Sequence, residues 1–186
     1  MNKTEEQRAA PGFDQEMIFA RLRMRQITET DLPALEWEGE YIHYRQLYAD
    51  AYALARQGKA VLWLSEVSGV GLIGQVFVSL PDRRPAFKII EEKAYIYGFR
   101  VRPAFRGRGI GTFMMKFIED DIYRRGYRCV TLNVARDNPD ALRFYERLGY
   151  RIIAPEAGNW SYIDHLGVRQ EVHEPAWRME KKLRSI

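Results

Sequence analysis

Arg106 to Gly111 reads R-G-R-G-I-G. It stands between a strand-like run, A-Y-I-Y-G-F-R-V (Ala94 to Val101), and a helix-like run, T-F-M-M-K-F-I-E-D-D-I-Y-R-R (Thr112 to Arg125). A glycine-bearing turn that opens a helix leaves the first backbone N–H groups unpaired and presents the positive end of the helix dipole. That combination binds phosphate, and Arg106 and Arg108 add full positive charges to it. The register excludes two other phosphate loops. G-x-G-x-x-G cannot be laid on the hexapeptide, and no Gly-Lys-Ser/Thr follows it. By itself the turn reads equally as a surface bend with solubilising arginines. A second element lies downstream, where Asn138 to Gly149 reads N-P-D-A-L-R-F-Y-E-R-L-G. Asn138 suits a helix N-cap, Pro139 the first helical position and Gly149 the stop. Just before it, C-V-T-L-N-V (Cys129 to Val134) reads as a short buried strand.

These two elements together resemble the GNAT superfamily of acyl-CoA-dependent N-acyltransferases. The family's main motif, Arg/Gln-x-x-Gly-x-Gly/Ala after a strand, is matched by Arg106, Gly109 and Gly111. Its second motif is a strand, an Asn, a short helix carrying a Tyr, and an ending like L-G-Y. Val130 to Val134, Asn138, Tyr145 and Leu148-Gly149-Tyr150 match it in order. The resemblance is strong from about Ala94 to Tyr150, holds in pattern only from Ile18 to Leu80, and is loose in the last third. It implies an α/β fold: a single GNAT-like domain with a central mixed, mostly antiparallel sheet flanked by helices. It also implies acetyl-CoA as the acyl donor and an amine as acceptor, with direct attack of the amine on the thioester.

The cofactor residues the resemblance implies are the main chain of Arg106, Gly107, Arg108, Gly109, Ile110 and Gly111 for the pyrophosphate. Gly109 and Gly111 lack side chains, so the phosphates approach closely. The pantetheine arm pairs in the family with the strand edge that here is Phe99, Arg100 and Val101. Gly98 inside that strand fits a bulge or a close backbone approach, with a glycine tolerated for packing as the plainer reading. Asn138 caps its helix and is placed to touch the cofactor as well. Tyr145 matches the tyrosine that the family sets beside the leaving thiolate. From pattern alone it is equally a core tyrosine, since it shares a helix face with Ala141 and Leu148.

An attacking amine must be neutral, and a primary alkyl amine is mostly protonated near neutral pH, so a base or a water chain is needed. Some relatives carry a glutamate at the position of Asn133, and asparagine cannot take a proton. Glu38, Glu40 and Asp164 are the alternatives, each also readable as a solvated surface charge. Trp160, Tyr162 and the aromatic stripe from Trp37 to Tyr52 are readable as an acceptor wall or as core packing. A non-catalytic acyl-CoA-binding module therefore stands as the alternative to an N-acetyltransferase. Tyr145 favours the enzyme, and Asn133 favours the module. Nucleic-acid binding through the arginines has no module signature to support it.

The elements that must hold these residues are legible in outline. Residues 1–16 read as a flexible polar tail and 17–186 as the domain. Ile18 to Arg25 alternates from Ala20 on and reads as a first strand. T-E-T-D-L-P (Thr28 to Pro33) is a helix start with Thr30 or Asp31 as cap. Trp37, Tyr41, Tyr44, Leu47, Tyr48, Ala51 and Tyr52 recur at three and four, which gives helix broken near Gly39. Ala60 to Val67 and Leu72 to Leu80 flank S-G-V-G as a hairpin, and Pro81 to Glu92 is a charged loop. Arg151 to Leu183 reads as strands, with a hairpin tip in W-S-Y-I-D-H-L-G-V.

Length and composition set the outer bounds. A chain of 186 residues with 46% hydrophobic content suits one domain with a full core. No apolar run approaches the length of a membrane span. The first residues lack an apolar signal region, and the single cysteine cannot form an internal disulfide, which together point to the cytoplasm. Cys129 reads as core rather than nucleophile. The three histidines and one cysteine show no metal spacing. The net charge of +4 is modest and suits an anionic cosubstrate. Homo-oligomerisation is left open by the sequence.

Overall fold

The computed structural model describes residues 14–81 and 93–184. The expected tail up to residue 13, and the expected charged loop from residue 82 to residue 92, lie outside the described residues.

The chain begins with a short helix α1 (Gln15–Arg21) and a strand β1 (Leu22–Gln26). This corrects the expected strand over Ile18 to Arg25. Asp14 accepts a hydrogen bond from the Met17 backbone N–H at 2.7 Å, which caps a helix. Ile18 and Leu22, four residues apart, then fall on one buried side. The alternation of a strand starts only at Leu22. Helix α1 already holds Gln15 and Glu16, two residues assigned to the tail from sequence.

A 3₁₀ segment, Glu29–Glu36, follows. Its cap is Thr28 rather than Thr30 or Asp31: the Thr28 N–H donates to Asp31 Oδ2 at 2.8 Å, and the Asp31 N–H donates back to the Thr28 carbonyl at 3.0 Å. Pro33 inside the segment disfavours a regular α-helix. The helical path then breaks near Gly39 as expected, because Trp37, Glu38 and Gly39 all have positive φ (48°, 58° and 95°). A 3₁₀ turn, Ile42–Tyr44, leads into α2 (Arg45–Arg56).

Strands β2 (Ala60–Val67), β3 (Gly71–Ser79) and β4 (Ala94–Val101) come next, then α3 (Ile110–Arg124), β5 (Cys129–Ala135) and α4 (Pro139–Arg147). The last third is β6 (Arg151–Glu156), β7 (Asn159–Ile163), β8 (Arg169–His173) and β9 (Ala176–Lys182). Seven strands form one sheet in the order β1-β2-β3-β4-β5-β9-β6, and β7 and β8 form a separate hairpin. Only β4 and β5 run parallel; every other neighbour pair is antiparallel. The mixed, mostly antiparallel sheet flanked by helices is therefore the observed architecture.

The alternation of β2 shows how the sheet sorts its two faces. Val61 joins α1, α3 and α4 in one core, with Ile18, Met114, Ile118 and Tyr145. Ala60, Leu62 and Leu64 join Tyr48 and Ala51 of α2 in a second core on the opposite face. Cys129 is fully buried in its strand. Among the described residues, no helix is long and apolar enough to cross a membrane.

Candidate active site

The centre of the sheet opens between its two parallel strands. β4 and β5 pair only from Ala94↔Val130 to Ile96↔Leu132, although β4 continues to Val101 and β5 to Ala135. The far half of β4 therefore presents a backbone edge that β5 does not cover. On the other side β4 remains paired with β3, but the register jumps from Phe77↔Tyr97 to Gln75↔Arg100. Gly98 and Phe99 thus oppose Val76 alone, which is a β-bulge. Gly98 has φ +59°, and a Cβ there would stand 3.0 Å from Phe77 Cδ2. Both its conformation and its neighbour demand glycine.

The glycine-bearing turn closes the end of this gap. Arg106 Nε donates to the Val101 carbonyl at 2.8 Å and ties the turn to the strand. Gly107 and Gly109 have φ of +71° and +81°, and Gly109 stands at the N-cap of α3 with no side chain among the described residues capping the helix. The first N–H groups of α3 are thus left for a ligand or water. At Gly111 the missing side chain also makes room for aromatic rings. A Cβ at Gly111 would meet Phe144 Cζ at 3.3 Å and Phe99 Cζ at 3.5 Å, so its space is taken by aromatic packing.

Helix α4 approaches from the β5 side. Asn138 Oδ1 accepts from the Ala141 N–H at 3.0 Å, so the cap read from sequence is present. Asn138 is otherwise exposed, and among the described residues no hydrogen bond ties it to the turn. Tyr145 is buried, with ring centroids 5.1 Å from Phe144, 6.3 Å from Phe99 and 5.6 Å from Tyr150. Its hydroxyl makes no hydrogen bond among the described residues. Burial, and secondarily Tyr95, push the phenol well above its usual value. It is a hydrogen-bond donor throughout the working pH range.

Arg100 departs from its neighbours. The bulge turns its side chain away from α3 and α4 to the α2 face. There its guanidinium donates to the Tyr48 hydroxyl at 2.8 Å and lies 4.0 Å over the Tyr41 ring and 5.2 Å from that of Tyr44. Tyr162 and Trp160 of β7 reach the same cluster, at 5.0 and 6.4 Å from Tyr44. The stripe from Trp37 to Tyr52 is thus divided. Trp37 and Tyr48 are core, while Tyr41 and Tyr44 are half-exposed on a wall with Tyr162. Sequence reading missed the side chain of Arg100, and it missed Phe144 as the neighbour of Gly111. The signal for Arg100 lay in Gly98, because a bulge reverses the parity of every residue after it.

The acetyltransferase (GNAT) family pattern matches residues 22–150 of the 186-residue chain. This chain belongs to the acetyltransferase (GNAT) family. It is 28% identical over 131 residues to the ribosomal protein bS18-alanine N-acetyltransferase of Salmonella typhimurium, covering 67% of this chain and 77% of that protein. Two solved structures share the fold. Arabidopsis thaliana NAA60 in complex with acetyl-CoA has a TM-score of 0.66 and 20% identity over 87% of this chain and 98% of that one. The Vibrio cholerae spermidine N-acetyltransferase in complex with CoA and spermine has a TM-score of 0.63 and 16% identity over 88% and 96%. At these identities the likeness of the two structures is one of fold.

The GNAT family uses acetyl-CoA as cosubstrate, and transfer to an amine needs a group to accept the amine proton. Glu38 is committed to Arg102, with its two oxygens at 2.9 and 2.7 Å from the guanidinium, and this bond holds its carboxyl below the usual range. Asp164 accepts from the Leu166 and Val168 N–H groups, both at 2.9 Å, and from Gln170 Nε2 at 2.8 Å. It is the keystone of the β7–β8 turn, and those bonds hold its carboxyl low. Asn133 lies exposed on β5 opposite Arg178. Glu40 adjoins the Tyr41 hydroxyl and forms no ion pair among the described residues. Among the described residues, no cluster of three or more potential metal ligands occurs.

Proposed function

We propose that this acetyltransferase moves the acetyl group of acetyl-CoA to an amine by direct attack at the gap between β4 and β5. The observation that carries the proposal is the parting of the parallel pair after Ile96 and Leu132. It leaves an open strand edge in mid-sheet, running from the ring of Tyr145 to the uncapped start of α3.

Each part follows from elementary chemistry. The main chain from Arg106 to Gly111 holds the pyrophosphate through N–H groups and the helix dipole. The pantetheine arm, which resembles a peptide, pairs with the Phe99 to Val101 edge. A backbone N–H on that edge faces the oxyanion of the tetrahedral intermediate. Glu40, through water, takes the amine proton. The departing sulfur is a thiolate of modest basicity, near 8.5 for a free thiol. A phenol raised by burial is a weaker acid than that thiol, so Tyr145 stabilises the sulfur by donating a hydrogen bond and keeping its own proton through bond cleavage.

Calorimetric titration with acetyl-CoA, followed by a thiol-release assay over a panel of amines, tests the proposal. Binding together with acceptor-dependent release supports it. Binding with no release from any amine favours the acyl-CoA-binding module.

A further inference from the structure

Arg100 is a half-buried cation with no anion among the described residues. There its side chain makes one hydrogen bond, to the Tyr48 hydroxyl at 2.8 Å. No carboxylate of the described residues pairs with it. Other arginines are placed differently: Arg102 is bound to Glu38, Arg45 to Glu36, and Arg25 to Asp31 and Glu66. A guanidinium has five N–H donors, and one held out of bulk water with most of them unused is a site for a carboxylate. Arg100 also follows Phe99 directly on β4, and the Phe99 ring lies 6.3 Å from that of Tyr145. The free donors therefore stand on the acceptor side of the gap, one residue from the strand edge.

The aromatic wall points the same way. Tyrosine faces attract cations, and such a wall in an amine acetyltransferase suggests a polycationic acceptor. Here the faces of Tyr41 and Tyr44 already hold a cation: Arg100 lies 4.0 Å over Tyr41 and 5.2 Å from Tyr44. A second cation would meet occupied rings and a like charge. We propose, resting on the acetyltransferase reading above, that the acceptor presents its amine beside a carboxylate, and that Arg100 binds this carboxylate.

The same charge helps the chemistry. A guanidinium near the bound ammonium disfavours the protonated amine and increases the neutral fraction that attacks. A peptide α-amine, with an ordinary value near 8, needs less help than a lysine-type amine near 10.4. The carboxylate can belong to a free amino acid or to an acidic residue at a peptide N-terminus, and the test separates these sources.

Thiol release is measured with acetyl-CoA and matched acceptors: aspartate against asparagine amide, glutamate against glutamine amide, the amidated peptides Glu-Ala-Ala and Gln-Ala-Ala, and spermidine. The expected result is a preference for the carboxylated member of a pair by roughly tenfold or more in kcat/KM. Release confined to free acids assigns a small acceptor; release from the peptide pair as well assigns an N-terminus. Arg100→Gln should erase the preference, and acetyl-CoA titration of the variant reports whether the β4 edge assigned to the pantetheine arm is intact. Arg100→Lys, which keeps the charge but loses the fork, should retain part of it. Thermal melting of both variants checks folding, and binding of N-acetylglutamate to the CoA-loaded wild type provides a readout independent of turnover. Spermidine or the neutral amides reacting as well as the acids overturns the inference and leaves the transferase reading standing. So does a preference that survives Arg100→Gln. No release from any acceptor overturns both.

Discussion

The two sides of β4 recognise their ligands with different materials. Toward α3 and α4 the site is made of backbone: two glycines with positive φ, an uncapped helix start and an open strand edge. Toward α2 it is made of side chains brought together from separate segments: Tyr41 and Tyr44, Tyr48 of α2, Arg100 of β4, and Tyr162 of β7. Backbone recognition is set within a dozen consecutive residues and suits a cosubstrate of fixed shape. Side-chain recognition exists only once the sheet, the broken helix and the β7–β8 hairpin have assembled. In the reading proposed above, it is the side on which the acceptor is chosen.

The largest effect separating the sides is expected at Gly109. Gly109→Glu places a side chain at φ +81° and sets a carboxylate at the helix start. Acetyl-CoA affinity should fall roughly a hundredfold or more in calorimetry. Binding of an acceptor-like ligand on the α2 side should change little. Unchanged acetyl-CoA affinity in a folded variant would remove the phosphate site from this turn.

Next come the groups that act across the gap. Tyr145→Phe removes the hydrogen bond to the departing sulfur and should lower kcat by about a hundredfold with acetyl-CoA binding nearly intact. Glu40→Gln should lower turnover on the opposite side of β4, again without touching acetyl-CoA. Its loss should shrink as pH rises and the free amine deprotonates unaided. A Phe variant with full turnover would make Tyr145 a packing residue, and a pH-independent defect in Glu40→Gln would argue against a proton-acceptor role.

The contrast between the sides also explains what could be read beforehand. The turn, the Asn138 cap, the Gly149 stop and the bulge glycine are local signals, and all four stand where the sequence puts them. α1 was misread because Ile18 to Arg25 carries a strand-like alternation, while the capping carboxylate of Asp14 lies outside that window. The packing of Phe144 against Gly111 has no local signal, because Phe144 is distant in sequence. On the acceptor side, helical spacing could not tell Tyr48, which is buried, from Tyr44, which is not. The side-chain direction of Arg100 depends on a bulge whose register only the β3 partner defines.

A smaller effect is expected from acid. Asp31 accepts two bonds from Arg25, at 2.7 and 2.8 Å, and these, with the Thr28 cap, hold its carboxyl well below the usual range. A lowered carboxylate contributes stability that is fully present above the unfolded value of about 3.9 and is lost as pH falls toward the lower folded value. Asp31 anchors the 3₁₀ segment that leads to Trp37 and Tyr41, so acid should loosen the acceptor side first. Denaturation of wild type between neutral pH and pH 3 should show a steeper loss of stability than Asp31→Asn, which is already weakened at pH 7. Equal slopes in the two proteins would assign acid sensitivity elsewhere.

The smallest effect is expected at Glu38, and it decides whether proximity alone makes a base. Glu38 and Glu40 flank Gly39 in the same strained turn, and both are carboxylates near the acceptor wall. Glu38 is 74% exposed in its side chain and bonded through both oxygens to Arg102, whose guanidinium also lies 5.1 Å from the Trp37 ring. A pair this open to solvent is worth at most about 1 kcal/mol, and salt screens it. Its carboxyl is held low and its lone pairs are engaged, so it is a poor proton acceptor at neutral pH. Glu38→Gln should therefore lower thermal stability slightly at low ionic strength, with the difference vanishing near 1 M salt, and should leave kcat as in wild type. A loss of turnover in Glu38→Gln that matches or exceeds that of Glu40→Gln would transfer the proton-accepting role to Glu38. The Arg102 pair would then be an arrangement that opens when the acceptor binds.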